Sequence, residues 1–458
     1  MAPNLSSDRI YRSDDPAEVK RALQPLLDFQ SHGLALEELS KMIDEILVPH
    51  FVNYGHPGFH SFYNLFPEAG ANLGAQVALK YNQGVTNWQV SPGGVMLEEM
   101  CGQALCRLFG LSPAADATFM YSGTYANQQA VYLALHRYAE KHGVDFAREG
   151  LTGFRNPGRL VLVASEEAHF SIRQTIRMLG LGEKSIRTVS ADRNGRMDAK
   201  QLEKTLKSVN SNHDVFCVVA TAGTSSSGSI DPIAPIADLC VEFETWYHVD
   251  AAYGLVYSLL PENGALFEGV ARADSITWDP HKQIGAPIPN SVLFLKNGGD
   301  FQRMAVFSDY FNRQDEPKPN PGLKSPPSTR PLAALPLVAS IRHLGLDNLK
   351  QRLRAPLETV RQAVAYINSQ SDLELMLQPD LGIFCVRLVP AGFPHEQLNA
   401  LQRYLYDTML EEAQRMVSFT QIKADAALRF LILTPEQTIA EIVKTLDYLR
   451  DLAKGFST

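Results

Sequence analysis

The sequence predicts an α/β fold with a mostly parallel central sheet and helices on both of its faces. Between about residues 70 and 345, short β-branched or apolar segments alternate with segments of helical periodicity, as in parallel sheets built from strand–helix–strand units. A helical segment precedes this region, and a shorter strand–helix alternation follows it. We therefore expect an N-terminal helical arm over residues 1–68, a large domain over 69–336 and a small C-terminal α/β domain over 337–458.

The arm is predicted to be helical because apolar residues recur at helical spacing, as in Leu36, Leu39 and Ile43. A lone helical arm has little core of its own, so we expect it to pack on a partner subunit. The next stretch, residues 55–64, is rich in turn formers and aromatic residues and cannot form a regular helix. It is typical of a loop that lines a site.

The strands of the large domain are predicted from apolar or β-branched segments that lie between turn formers, at residues 160–164, 186–189, 215–220, 246–249 and 292–295. The segments of helical periodicity in the same domain are 93–108, 126–142, 171–179 and 233–243. In the small domain we expect strands and helices in alternation, at 383–388, 395–412, 428–433 and 434–453. Ligands of such sheets bind beyond the carboxyl ends of the strands.

Residues 309–330 form a polar segment with five prolines between Pro317 and Pro327. A segment of this length without regular structure is uncommon inside a compact domain and is usually functional or disordered. We expect either a mobile active-site loop or a disordered segment. The helical pattern resumes at Pro331 and continues through Leu357.

Composition excludes several classes of function. The chain has 458 residues and a net charge of −8, so it carries no basic footprint for nucleic acid or an anionic membrane. No apolar run approaches the roughly 20 residues that span a bilayer, and the N-terminus lacks the features of a secretory signal. The five cysteines fit no redox or zinc spacing, and His56 and His60 have no third metal ligand nearby. We expect a soluble, cytoplasmic protein without a metal.

A lysine and a carboxylate each follow a predicted strand. Lys282 ends the segment Ser-Ile-Thr-Trp-Asp-Pro-His-Lys, and Asp250 follows the apolar segment 246–249. Burial of both side chains would be costly unless they pair with a charged ligand. Pyridoxal 5′-phosphate (PLP) needs such a pair, because a lysine forms a Schiff base with its aldehyde and a carboxylate keeps its pyridine nitrogen protonated. An Asp–Lys pair that only holds two strands together is the alternative.

Three further stretches carry groups suited to such a ligand. The turn at 121–127 offers backbone N–H groups at a helix start to a phosphate, although Ser-Gly-Thr is also an ordinary helix cap. The imidazole of His169 follows a strand and can stack on a planar ring, or it is a cap or surface residue. Hydroxyls and glycines at 221–229 can approach a ligand closely, or they form a flexible loop.

These stretches resemble, in their order along the chain, the motifs of group II PLP-dependent amino acid decarboxylases, the family of the aromatic L-amino acid, glutamate and cysteine sulfinate decarboxylases. The matching segments are 56–59, 88–92, 122–127, 168–169, 221–224, 248–253 and 279–282. The resemblance covers nearly the whole chain. It implies PLP fold type I (aspartate aminotransferase-like), a large domain that binds PLP, and a homodimer with interfacial active sites.

The resemblance also implies a role for each matched residue. Lys282 would form the Schiff base, Asp250 would pair with the pyridine nitrogen, and His169 and Ala252 would lie on opposite faces of the ring. The residues expected around the phosphate and the ring edge are Gly123, Thr124, Ala126, Asn127, Thr221 and His281.

The implied reaction is decarboxylation of an L-amino acid to the amine and CO2, a carboxy-lyase reaction of amino acid metabolism. The substrate amine would replace Lys282 at the cofactor, and loss of CO2 would give a quinonoid intermediate that is then protonated at Cα. Tyr310, just before the Pro-rich segment, is our candidate for the proton donor. We expect the loop 308–330 to close over the substrate.

The residues predicted to line the substrate pocket are aromatic: Phe59, Phe62, Tyr63 and Trp88. No arginine in the early loop could clamp a side-chain carboxylate, so we expect an aromatic or other neutral side chain rather than an acidic one. The chain departs from the family pattern at Asp279, where aromatic decarboxylases tend to have asparagine, and over residues 283–290.

Three other functions stay open at this point: a PLP-dependent carbon–carbon lyase, oxidative decarboxylation–deamination to an aldehyde, and a catalytically silent scaffold with the PLP fold. Tyr310 argues against the aldehyde route, because loss of the proton donor exposes the intermediate to oxygen. Lys282, Asp250 and His169 together argue against a scaffold, which would have no use for that combination.

Overall fold

The computed structural model describes residues 8–12, 15–209, 212–310, 312–315 and 317–456. Residues 1–7, where we expect no secretory signal, lie outside the described residues, as do residues 311 and 316 of the predicted loop. The chain divides into two compact units, a smaller one of Met1–Phe66 with Ala355–Thr458 and a larger one of Pro67–Arg354.

The helices, numbered in chain order, are α1 (Pro16–Leu23), α2 (Leu36–Ile46), α3 (Ala69–Tyr81), α4 (Pro92–Leu108), α5 (Gly123–Lys141), α6 (Phe146–Glu149), α7 (Ser171–Met178), α8 (Ala199–Val209), α9 (Ile233–Glu242), α10 (Pro280–Gln283), α11 (Ala334–Ser369), α12 (Leu398–Glu412) and α13 (Ile439–Ala453). The strands are β1 (Phe59–His60), β2 (Asp116–Met120), β3 (Leu160–Ser165), β4 (Ile186–Val189), β5 (Asp214–Thr221), β6 (Trp246–Asp250), β7 (Ser275–Trp278), β8 (Ser291–Leu295), β9 (Leu373–Leu375), β10 (Ile383–Leu388), β11 (Met416–Ile422) and β12 (Asp425–Leu431).

The larger unit is built on a seven-stranded sheet in the order β2-β8-β7-β6-β5-β3-β4. Strands β3 to β7 pair in parallel, and β8 pairs antiparallel with β2 and β7. The strands β3, β5 and β6 are buried along nearly their whole length, which explains why they form continuous apolar segments rather than alternating ones. The mixed, mostly parallel sheet and its helices confirm the predicted α/β class and are consistent with PLP fold type I.

Helix α5 packs on this sheet through an apolar face. Its buried residues Val131 and Leu135 belong to one core cluster with Leu162 and Val219. Full burial of each such side chain stabilises the fold by about 1.5–3 kcal/mol relative to exposure. The start of α5 is capped by Ser122, whose Oγ accepts a hydrogen bond from the Tyr125 N–H at 3.3 Å. Packing and cap together fix the helix N-terminus against the sheet.

The carboxyl ends of β5, β6 and β7 meet at one edge of the sheet. Thr221 is in register with Asp250, and Asp250 is in register with Thr277. The segments that follow these three strands therefore start from adjacent positions, at the edge where ligands of parallel sheets bind.

The predicted segments are found with shifted ends. Helix α5 starts at Gly123 instead of residue 126, because the Ser122 cap begins it earlier. Helix α11 runs past the predicted end at Leu357 and changes direction at Gly345, whose φ is 69°. Strand β11 is absent from the prediction. It pairs with β12 across a short connection in which Lys423 has a φ of 57°, and the pairing supplies an order that the local pattern does not show.

The smaller unit holds a five-stranded sheet in the order β1-β11-β12-β10-β9. Its core joins Phe384, Phe430 and Leu446 from strands and helix. Helix α2, by contrast, has no buried residue in the described part of the chain, and Leu36 is 83% exposed. Helix α2 thus contributes no buried side chain to the described structure, and packing of the arm on a partner subunit stays a prediction.

The Pro-rich segment is anchored at its C-terminal end. Arg330 is buried and forms an ion pair with Glu98, while Lys324 lies 2.6 Å from both Glu99 and Asp116. Removing one partner of such a buried pair costs about 3–5 kcal/mol. The segment between residues 321 and 331 is therefore fixed to the larger unit.

All five cysteines are buried free thiols. Burial raises the pKa of Cys101 and Cys106 to about 12, which makes these two thiols unreactive near neutral pH. A search of the described residues finds no helix both long and apolar enough to cross a membrane.

Candidate active site

Lys282 lies at the carboxyl edge of the larger sheet. Strand β7 ends at Trp278, and the single turn α10 begins at Pro280, which suits a proline because the first helical position needs no N–H donor. The Lys282 side chain is 17% exposed, and its Nζ lies 3.3 Å from Asp279 Oδ2. The turn thus holds a primary amine where the sequence predicts the group that binds an aldehyde.

Asp250 is the last residue of β6 and is only 5% exposed. Its Oδ2 accepts a hydrogen bond from Asn127 Nδ2 at 2.8 Å, and its Oδ1 accepts one from the Ala252 N–H at 3.2 Å. Hydrogen bonds to the charged form are what make a buried carboxylate tolerable. The site therefore offers a supported carboxylate to a cationic ring nitrogen.

His169 lies in the turn between β3 and α7. Its pKa is lowered chiefly by burial, while Asp250 raises that pKa and Lys282 lowers it. Ser171 Oγ lies 2.8 Å from His169 Nδ1 and accepts from Asn127 Nδ2, which also donates to Asp250, so hydrogen bonds connect His169 with Asp250. The structure brings them into one site, with a neutral imidazole at pH 7.

Helix α5 presents its N-terminus beside the lysine turn. Gly123 is buried, and a methyl carbon added to it would lie 2.7 Å from Asp279 Oδ2. The first turn of a helix has backbone N–H groups without intrahelical acceptors and a positive dipole end. Gly123 and Thr124 lie in this first turn, and their contact with a phosphate stays a prediction.

Two other residues predicted near the phosphate are used differently. The Ala126 N–H donates to the Ser122 carbonyl at 3.0 Å. Asn127 is 1% exposed, and its Nδ2 donates to Ser171 Oγ at 2.9 Å as well as to Asp250. Asn127 lies in the second turn, past the N–H groups that a helix leaves unpaired, so its amide supports the carboxylate instead of a phosphate. Sequence reasoning missed Ser171, whose position two residues after His169 is the only local signal.

Thr221 ends β5 beside Asp250. Its Oγ1 is buried and has no hydrogen-bond partner among the described residues. The Thr221 N–H donates to Asp231 Oδ2 at 2.7 Å, and burial raises the pKa of Asp231 to about 7. Sequence reasoning missed this buried aspartate, which fixes the backbone of Thr221. Ala252, predicted under the ring, is 9% exposed.

The two ring nitrogens of His281 have different neighbours. Nδ1 donates to the Asn290 carbonyl at 2.6 Å, and Nε2 lies 3.8 Å from Asp279 Oδ2. Burial is the main cause of its lowered pKa. The imidazole is therefore neutral at pH 7, with Nε2 on the side of the lysine turn.

The predicted pocket residues of the smaller unit have unequal surroundings. Phe59 is buried in a small cluster with Ile10 and Met416, so it packs the unit's interior. Tyr63 lies over the buried Arg429 guanidinium, 5.4 Å from it, and Phe62 is 49% exposed. Phe62 is the one of these three aromatic rings with a large accessible face.

The remaining predicted residues belong to the larger unit. The Trp88 ring lies 5.9 Å from Lys318 Nζ, a cation–π distance. Tyr310 is 84% exposed, in the part of the Pro-rich segment that precedes the anchored end.

The residues at the sheet edge fit PLP. Lys282 would supply the amine for the aldehyde and Asp250 the carboxylate for the ring nitrogen. The Thr221 hydroxyl, unpaired among the described residues, would give the ring's polar edge a partner, and the first turn of α5 would offer its backbone N–H groups to the phosphate. His169 adds a neutral imidazole that can stack on the ring.

Comparison with known families agrees with this fit. The family model described as the pyridoxal-dependent decarboxylase conserved domain matches residues 16–389. This range contains every residue assigned above to cofactor binding.

Individual relatives match over most of the chain. The L-2,4-diaminobutyrate decarboxylase of Rhizobium meliloti (strain 1021) is 30% identical over 416 residues, which cover 89% of this chain and 80% of that protein. Human cysteine sulfinic acid decarboxylase is 29% identical over 430 residues, which cover 90% of this chain and 85% of that protein. The crystal structure of mouse CSAD superposes with a TM-score of 0.89 at 27% identity, covering 98% of this chain and 94% of that one.

Proposed function

Because the chain belongs to the pyridoxal-dependent decarboxylase family, we propose that this PLP-dependent amino acid decarboxylase acts on an L-amino acid with an uncharged side chain, aromatic or otherwise neutral. Asp250, which ends β6, and Lys282, which follows the adjacent strand β7, support PLP binding most strongly, and the family match over residues 16–389 supports decarboxylation. The observation that supports an uncharged substrate is the composition of the early loop.

The chain's own residues bind and aim the substrate. When bound, PLP accepts the electron pair that the breaking Cα–carboxylate bond leaves behind. Asp250 holds a proton on the ring nitrogen, which makes the ring a better acceptor. Lys282 would hold the aldehyde of PLP, and His169 would cover one face of its ring. The side chains around the substrate would select decarboxylation by the orientation in which they hold its carboxylate.

The substrate proposal depends on charge in the early loop. Residues 53–66 contain no lysine or arginine, so this loop offers no guanidinium to pair with a side-chain carboxylate. His60 is completely buried, and burial lowers its pKa to about 3, so it is neutral at pH 7. The exposed face of Phe62 is instead suited to an apolar or aromatic group.

A second candidate is a short substrate with a side-chain amine. The relatives that are 27% and 30% identical are named L-2,4-diaminobutyrate decarboxylases. A side-chain ammonium needs no arginine and would find acceptors or aromatic faces more readily than a carboxylate would. The net charge of −8 also favours a cation over an anion.

We assign the proton that returns to Cα to Tyr310, which the segment 308–330 carries. The part of this segment before Pro321 would move as it closes over the substrate, because Lys324 and Arg330 hold the rest. Support comes from the exposure of Tyr310 on a segment whose far end is held by Lys324 and Arg330. Tyr310→Phe should lower amine formation and release aldehyde, whereas the exposed Tyr81→Phe should change neither. Full amine production without aldehyde in the Tyr310 variant would contradict the assignment.

The proposal includes a homodimer in the cytoplasm. Helix α2 exposes Leu36 and lacks buried residues in the described structure, which is the state expected of a surface covered by a second copy. Sedimentation of the purified protein as a monomer at micromolar concentration would contradict the dimer.

The larger unit also contains a cavity of about 860 Å³, which is lined by Tyr125, Met304 and Pro327 among others.

A panel of L-amino acids tests the substrate. CO2, amine and aldehyde are measured for phenylalanine, tyrosine, tryptophan, leucine, 2,4-diaminobutyrate, glutamate and cysteine sulfinate. The proposal expects the highest kcat/KM for one of the uncharged side chains, with amine equal to CO2. Best turnover of 2,4-diaminobutyrate would favour the second candidate, and best turnover of an acidic substrate would overturn both.

A further inference from the structure

A continuous line of hydrogen bonds runs behind the cofactor-binding residues. Trp246 Nε1 lies 2.8 Å from Ser275 Oγ, and His248 Nδ1 lies 2.8 Å from the same oxygen. His248 Nε2 lies 3.0 Å from Asn127 Oδ1. These residues are all 1% exposed or less, so water does not compete for the bonds.

The chemistry of the groups fixes the direction of each bond. An indole N–H can only donate, so Ser275 Oγ accepts from Trp246. A carboxamide oxygen can only accept, so His248 Nε2 carries the hydrogen and donates to Asn127. Nδ1 of the neutral ring is then an acceptor, and Ser275 Oγ donates to it. One hydrogen on His248 agrees with its burial, which lowers its pKa to about 4. The histidine is therefore a neutral ring with a defined tautomer.

Asn127 is the branch point of this line. With its oxygen occupied by His248, its Nδ2 donates one hydrogen to Asp250 and the other to Ser171 Oγ. If the amide were reversed, Asn127 Oδ1 would face the Asp250 carboxylate, and two acceptors would meet. His248 and Asp250 therefore both favour the orientation with Nδ2 toward Asp250.

The second branch reaches His169. Ser171 Oγ accepts from Asn127 and therefore donates to His169 Nδ1, 2.8 Å away. The Ser171 N–H also points to this nitrogen, at 3.3 Å. Nδ1 is thus an acceptor, and the single hydrogen of the neutral ring is on Nε2.

We propose that Asn127, oriented by His248, is the positioning residue that acts on both sides of the PLP ring: it stabilises the ionised Asp250 that holds the ring nitrogen's proton, and it fixes His169 as the Nε2–H tautomer. The inference depends on the cofactor and is independent of which amino acid is the substrate. It differs from the phosphate-binding role that the sequence suggests for Asn127.

Loss of the amide would leave Asp250 with the Ala252 N–H as its remaining backbone donor. A hydrogen bond to a charged group contributes about 1.5–3 kcal/mol, so Asn127→Ala should weaken PLP binding roughly 10- to 150-fold. The ring nitrogen would also lose its proton at lower pH, because a less stable carboxylate pairs less strongly with it.

The test compares the holoenzyme with four variants. Asn127→Ala removes the branch point, and Asn263→Ala is the matched control, since Asn263 is also buried and its amide donates to the Tyr257 carbonyl outside this line. His248→Phe removes the group that orients Asn127, and His248→Gln restores one donor and one acceptor. The dissociation constant of PLP and the pH dependence of the visible band are measured for each protein.

We expect weaker PLP binding and a shifted pH profile of the visible band in Asn127→Ala and His248→Phe. Asn263→Ala should keep values close to those of the unmodified protein. His248→Gln should recover part of the affinity for PLP. An Asn127→Ala protein within twofold of the unmodified affinity would overturn the proposal, as would an equal loss in Asn263→Ala. A third readout needs no variant to fold. In the holoenzyme labelled with ¹⁵N-histidine, a His169 signal with the hydrogen on Nδ1 would also overturn the proposal.

Discussion

Asp279 Oδ2 lies 3.3 Å from Lys282 Nζ, and the same oxygen lies where a methyl carbon on Gly123 would be only 2.7 Å away. One carboxylate therefore faces both the lysine and the helix start that is suited to a phosphate. Ser291 Oγ, 2.6 Å from Asp279 Oδ1, holds it there. The charge that stabilises a lysine ammonium is thus close to the expected phosphate position.

Asp279→Asn should tighten the binding of PLP. Two unit charges about 4 Å apart repel by roughly 1 kcal/mol in water and by more at a protein surface, so the dissociation constant should fall about fivefold or more. Titration with pyridoxal, which lacks the phosphate, distinguishes the effect of Asp279 on Lys282 from its repulsion of the phosphate, because only the first acts on pyridoxal. Weaker binding of both PLP and pyridoxal to the variant would mean that support of Lys282 outweighs repulsion of the phosphate.

Gly123→Ala should weaken PLP binding at least tenfold while the fold is retained. The added carbon would approach Asp279 to within 3 Å and push the carboxylate or the helix start out of place. Gly93→Ala is the matched control, because Gly93 also lies in the first turn of a helix and nothing lies within 4 Å of its added carbon. PLP titrations and circular dichroism of both variants check this; equal affinities would contradict a phosphate site at α5.

Protonation of buried histidines should destabilise the protein below pH 6.5, chiefly in the smaller unit. The larger unit also contains Asp231, whose pKa is raised to about 7 and which contributes the opposite slope. Burial lowers the pKa of His60 to about 3 and of His248 to about 4, from 6.5. Between these values and 6.5, the two histidines therefore bind more protons in the unfolded chain than in the folded one. Their contribution to the free energy of unfolding is fully present above pH 6.5 and falls as the pH drops. Each histidine contributes a slope of roughly 1.4 kcal/mol per pH unit.

Urea unfolding at pH 7 and pH 5 measures this slope. The midpoint should fall toward pH 5, and His248→Gln should reduce the fall because glutamine does not titrate. An equal change of midpoint in the unmodified protein and in His248→Gln would show that His248 does not remain neutral in the folded state.

The sequence predicted the strands of the large domain well, because β3, β5 and β6 are buried on both faces and their apolar runs are visible without tertiary contacts. It also placed Asp250 and Lys282 at strand ends, where the structure has them, while their catalytic roles stay a prediction. What it could not predict depends on long-range contacts. The partners of Asn127 lie 44 to 123 residues away in the chain, and Phe59 is packed by Met416. Asn127 and Phe59 were therefore assigned to the phosphate site and the substrate pocket from their positions in motifs. In the structure, Asn127 contacts Asp250 and His248, and Phe59 packs in a buried cluster.

We expect Lys282 to carry PLP, and chemical reduction of the bound cofactor onto its lysine tests this assignment. The holoenzyme is reduced with sodium borohydride, digested and sequenced by mass spectrometry, with Lys282→Ala and the exposed Lys296→Ala treated in the same way. We predict a phosphopyridoxyl group on Lys282 in the unmodified protein and in Lys296→Ala, and none in Lys282→Ala. Stoichiometric label on another lysine, or an unlabelled protein that retains its visible band, would contradict the account.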